Sequence, residues 1–141
     1  MNREFVQKNL LVNYRKSFEA VWNRLDNTSY NKVIYSALKY LDQNHEVLED
    51  IIKSYLSTFD PFTRFVGAYL ALSFGVEKEM AYKVFKSLHG ARGDLNERLS
   101  FYVSSISNNI LENGYFLAYP NQKKVNYYTQ EERDLFYTLA K

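Results

Sequence analysis

The two histidines, His45 and His89, and the carboxylates beside the first are the side chains to weigh for chemistry, since they move protons and hold metals near neutral pH. His45 is followed by Glu46 and then Glu49, whereas the two-histidine zinc helix needs a second imidazole four residues on. His89 closes a helical stretch, where a cation suits the helix dipole. A helix-start and a helix-end histidine are therefore expected, with neither metal nor cofactor implied. Glu46, Glu49 and Asp50, with Asp42 close by, fall on the solvent side of one helical pattern. General acid–base work needs a cleft that shifts a pKa, and an open helix face offers none. Such a row is either a solvated face or an acidic patch that meets a basic partner.

Two basic features complete the search. Lys78, Lys83 and Lys86 surround Tyr82 on one helix pattern, a face that could grip phosphates. Glu77 and Glu79 dilute it, and a nucleic-acid footprint collects more Lys and Arg on one side. Gly90-Ala91-Arg92-Gly93 before a helix invites comparison with a phosphate loop. It lacks the Lys-Ser/Thr ending, no strand pattern precedes it, and Asp94 puts a carboxylate where the anion would sit. A plain turn that leaves Arg92 exposed is the expectation. No catalytic set is assembled.

The elements that must position these residues are helical throughout. At the centre, Asp60 is a good N-cap, Pro61 suits the first helical position, and Gly75 and Gly90 are stop signals. The first helix so bounded carries Phe62, Phe65, Val66, Tyr69, Leu70 and Leu72, apolar on most sides, which marks an interior helix. Its small residues Gly67, Ala68 and Ala71 allow a neighbouring helix to come close. The next is one-sided, with Met80, Ala81, Val84, Phe85 and Leu88 in a stripe.

Before this pair, residues 3–26 read as one helix through Val6, Leu10, Tyr14, Phe18, Val21, Trp22 and Leu25, with Trp22 expected in the core. Ser29 then caps a helix through Leu41, and a third runs from Val47 to Leu56. After the pair, Asp94 with Glu97 reads as a capping box opening a helix to Gly114. That helix has a short polar face (Ser100, Ser104, Ser107, Asn108, Glu112) which the tail is expected to cover. Residues 115–128 have no helical period. Tyr115, Phe116, Leu117 and Tyr119 read as an extended strip on the body, and Asn121 to Lys124 as an exposed turn. Thr129 with Glu132 is a second capping box, opening a last helix through Leu135, Phe136 and Leu139.

Composition fits one domain. The 141 residues are 46% apolar and 24% charged, a globular balance. The net charge of +2 is too small to argue nucleic-acid binding alone. There is no cysteine, hence no disulfide framework or thiolate metal site. The first residues carry charge where a signal peptide needs an apolar run, and no stretch reaches the roughly 20 apolar residues of a membrane span. A soluble, cytoplasmic protein is expected. The 13 tyrosines mildly favour a protein partner.

The caps Ser29, Asp60 and Asp94 lie 31 and 34 residues apart, with two helices per interval, the rhythm of an α-solenoid. Asp60-Pro61 followed by Arg64 and Ala68, then a second helix after Gly75, resembles the HEAT-repeat signature, in which the Arg binds the turn of a neighbouring unit. The likeness spans about residues 29–114, and the first unit lacks both the Asp-Pro and the Arg. The chain also resembles small bacterial HEAT-like proteins, and similar helical proteins often stand beside toxin genes as immunity proteins.

The resemblance thus implies an all-α, HEAT-like stack of about seven helices in a single domain over 1–141. It comprises a core at 29–114, an irregular segment at 115–128 and a C-terminal helix at 129–141. The expected function is non-enzymatic binding of a protein, a cognate toxin, through Glu46, Glu49, Asp50 and Tyr82. The alternative is phosphate binding through Lys78, Lys83, Lys86 and Arg92.

Overall fold

Asn2 opens the first helix: its side-chain oxygen accepts from the amide of Glu4 at 2.7 Å, as an N-cap should. The computed structural model describes residues 2–140, which hold seven α-helices and no strand. These are α1 (Arg3–Trp22), α2 (Thr28–Asp42), α3 (His45–Leu56), α4 (Pro61–Phe74), α5 (Lys78–Leu88), α6 (Asp94–Asn113) and α7 (Gln130–Leu135). The chain divides into two compact units between Ile51 and Ile52, inside α3.

In the first unit α1 packs on α2. Val6, Leu10, Tyr14 and Ala20 from α1, and Ile34, Ala37, Leu38 and Leu41 from α2, are buried. The helix expected over 3–26 stops at Trp22. Arg24 turns left-handed at φ 59°, its amide donates to Val21 O, and the Leu25 amide reaches back to Ala20 O at 2.7 Å. That reversal leaves Val21, Trp22 and Leu25 exposed, so Trp22 is not the core anchor its spacing suggests.

The cap of α2 also shifts, from the expected Ser29 to Asn27. Asp26 takes over the capping bonds, accepting from the Thr28 hydroxyl at 2.6 Å and the Thr28 amide at 3.1 Å. The hydroxyl bond first, and the amide next, hold its carboxyl below the ordinary carboxylate range. Asn27 instead donates to Ser17 Oγ, which donates to Asn31 Oδ1, a polar bridge from α1 to the start of α2.

The second unit is built on α4. Asp60 accepts from the Thr63 amide and hydroxyl at 3.0 and 2.6 Å, and Pro61 occupies the first turn. The helix is buried on nearly every side, as its composition requires. Phe65 stacks on Phe85 of α5 at 5.9 Å, and Tyr69 meets the edge of Phe116 at 4.9 Å. At Gly67 the end of α3 comes close: a Cβ there would lie 2.9 Å from Tyr55 Cβ and 3.0 Å from the Leu56 amide nitrogen.

The α5 stripe is Ala81, Val84, Phe85 and Leu88 without Met80, which stands roughly a quarter-turn off its centre and is exposed. At α6 the expected capping box is absent. Gly93 is the N-cap, and Asp94 is already helical, with no side-chain cap bond. The tail does meet the polar face of α6 in part: Asn108 donates to Ala140 O at 3.0 Å.

Thr129 and Glu132 form the predicted capping box, but α7 is only six residues long. Phe136 and Leu139 are buried in the turns that follow, whereas Leu135 is exposed.

Candidate functional site

Residues 115–128, which follow no helical period, are anchored to the end of α4 by side-chain hydrogen bonds. The last carbonyls of α4 lack partners within their helix. Gln122 answers one of them: its amide donates to Ser73 O and to Lys124 O, both at 2.9 Å. Its oxygen accepts from Ser73 Oγ at 2.5 Å and from the Ala118 amide at 3.2 Å. The Tyr128 hydroxyl answers another, donating to Leu72 O at 2.7 Å.

Gln122 is thus buried, not part of the exposed turn that its polar neighbours suggest. Of the expected strip, Phe116 and Tyr119 are buried with it, as is Ala118 between them, while Tyr115 and Leu117 are half-buried. Gly75, at φ 74°, closes α4 where a side chain would strike Asn126 Oδ1 at 2.5 Å.

A charged clasp joins α7 and the end of this strap to α5. Lys78 Nζ lies 2.7 Å from Glu132 Oε2 and 5.1 Å above the Tyr128 ring. The bond from Lys78, then that from the Thr129 amide, lowers the pKa of Glu132. Burial, and next the Glu132 charge, raise that of the Tyr128 phenol above the ordinary tyrosine range. Arg133 donates from Nη2 to Leu111 O in the last turn of α6, where a cation suits the dipole.

The acidic candidates lie in the first unit. Glu46 and Glu49 are exposed on α3. Asp50 is half-exposed and lies 3.5 Å from Arg3. Asp42, expected beside them on the solvent side, is buried at the end of α2, with His45 Nε2 3.8 Å from its Oδ1. The basic candidates are divided. Lys78 is held in the clasp, Lys83 is 3.9 Å from Glu79, and Lys86 and Arg92 are exposed. Tyr82 is half-buried, with its ring edge-on to Phe136 at 5.6 Å, so most of it is committed to seating the tail.

Two surface features escaped the sequence reading. In the second unit Phe59 is 97% exposed at the turn before α4, and Tyr127 and Phe101 are 70% and 66% exposed. In the first unit a groove of about 270 Å³ opens between α1 and α2. Val6 and Ala37 are its buried apolar residues, Phe5 and Val33 its exposed ones, and Asn9, Ser36 and Lys32 complete the lining. Helix spacing alone could not reveal it, because the gap depends on how two helices cross.

Among the described residues no three His, Asp or Glu side chains converge to hold a metal ion. No described helix is long and apolar enough to cross a membrane. No protein-family model matches the chain, and neither a curated protein nor a solved structure is significantly similar to it.

Proposed function

We propose that this chain is a protein-binding module that works by occluding a partner's surface, as an immunity protein neutralises a toxin in the bacterial cytoplasm. The observation that carries the reading is the exposure of large aromatic side chains on a well-anchored helical body, Phe59 foremost. An exposed Phe forgoes roughly 1.5–3 kcal/mol of burial in the free protein. Binding a partner recovers that term, and aromatic residues are common anchors of protein interfaces.

The pinned strap supports the same reading. A surface ordered before binding avoids part of the entropy cost of association. The HEAT-like character of the stack, with two helices per unit, also belongs to this proposal, since such stacks present broad faces for docking. Glu46 and Glu49 offer exposed charge for the rim of such an interface. The basic face has less to offer phosphate, because Lys78 is engaged by Glu132.

The test is co-expression with the product of the neighbouring gene. Growth rescue from a toxic neighbour, lost on Phe59→Ser, is the expected result. A toxic neighbour whose effect is unchanged by this chain, with no co-purification of the two, would refute it.

A further inference from the structure

The groove between α1 and α2 combines an apolar floor with one sign of charge. Among the described residues that line it, Lys32 is the one with an ionised side chain. One helical turn from a lining residue stand Arg3, Lys8 and Lys39, and Lys16 follows Asn9 by seven residues on the same side of α1. No Asp or Glu is three or four residues from any lining residue on either helix. Glu4 falls on the far side of α1 from Asn9 by the helical step. Arg3 is engaged by Asp50 at 3.5 Å, which leaves Lys8, Lys16, Lys32 and Lys39 to set the local field. Residues 3–42 as a whole carry seven Lys and Arg against four Asp and Glu, while the rest of the chain has a slight acidic excess.

At about 270 Å³ the groove lies below the usual 300–1,000 Å³ of a small-molecule pocket. It suits one or two apolar side chains, as in recognition of an amphipathic helix by a groove.

Resting on the protein-binding reading above, we propose that this groove docks an acidic amphipathic helix of the partner protein. An apolar anchor enters between Phe5 and Val33, and carboxylates one turn away meet Lys32 and its neighbouring lysines. The apolar contact supplies affinity, and the charges supply choice of partner and orientation.

Two synthetic helical peptides test this on the full chain. Both carry a Leu–Phe pair four residues apart; one is flanked by Glu and the other by Lys. Amide shifts are followed by two-dimensional NMR. The acidic peptide is expected to move the amides of Asn9, Val33, Ser36 and Ala37, and to bind about three- to fivefold tighter than the basic one. Lys32→Glu, an exposed substitution that spares the core, should shrink the difference between the two peptides toward equality. Val33→Asp, with folding verified by circular dichroism, should weaken both.

Equal binding of the two peptides by the unaltered chain, shifts only outside the groove, no shift at millimolar peptide, or concentration-dependent self-association through these amides would each overturn the proposal. A natural partner that still binds Lys32→Glu and Val33→Asp at full strength would also overturn it, while leaving the protein-binding reading intact. Peptide selectivity in a chain that neither binds nor rescues against its neighbour's product would sink the protein-binding reading and leave the groove's preference standing.

Discussion

Gln122 shows how one side chain can hold an irregular segment in place. It bridges Ser73, Ala118 and Lys124 from a buried position, so truncation strands groups that water cannot reach. Gln122→Ala is expected to cost about 2–3 kcal/mol, read as a lowered urea midpoint with an unchanged slope. At Gly67 two effects compete. Alanine gains about 1 kcal/mol of helix propensity. Its methyl would meet Tyr55 Cβ at 2.9 Å and the Leu56 backbone at 3.0 Å, neither of which is a flexible chain end. Overpacking of this kind costs about 1–3 kcal/mol, so Gly67→Ala should lower the melting temperature despite the better helix former. The small residue was visible in the sequence as a place for close approach. Gln122 was not: it sits in a polar run, Asn121 to Lys124, and its partner Ser73 is far away along the chain.

Helices α1 to α6 were legible because each carries apolar residues at three- and four-residue spacing, and α4 and α7 carry their own caps. The errors fall at ends, where one residue's choice of partner decides. Asn27 replaced Ser29 as the cap of α2, with Asp26 bonded to Thr28 beside it, and Gly93 displaced Asp94 at α6. Arg24 ended α1 in a left-handed conformation that a glycine would have announced. The clasp that joins α7 and the end of the strap to α5 has a pH signature. Glu132 takes up its proton at lower pH in the folded chain than in the unfolded one. The stability it adds is therefore full above its ordinary pKa of about 4.5 and drains away as pH falls through the folded value. Unfolding curves collected from pH 7 to pH 3 should show this acid loss, with a shallower slope in Glu132→Gln. Identical slopes would remove the clasp from the account.

Across the whole chain, an all-helical architecture could be read from periodicity, whereas its surfaces could not. Periodicity states which residues are turned inward; it does not reveal that Phe59 is almost fully exposed or that a groove opens beside Val33. The acidic row was partly legible: Glu46 and Glu49 are exposed as expected, but Asp42, the last residue of α2, is buried. The account rests on binding to a protein, and the most direct measurement is light scattering on a size-exclusion column of this chain mixed with its neighbour's product, over a series of salt concentrations. A complex of fixed stoichiometry that persists through moderate salt and is lost with Phe59→Ser is predicted. A chain that elutes alone at every salt concentration, while binding duplex DNA with an affinity that collapses as salt is added, would contradict it.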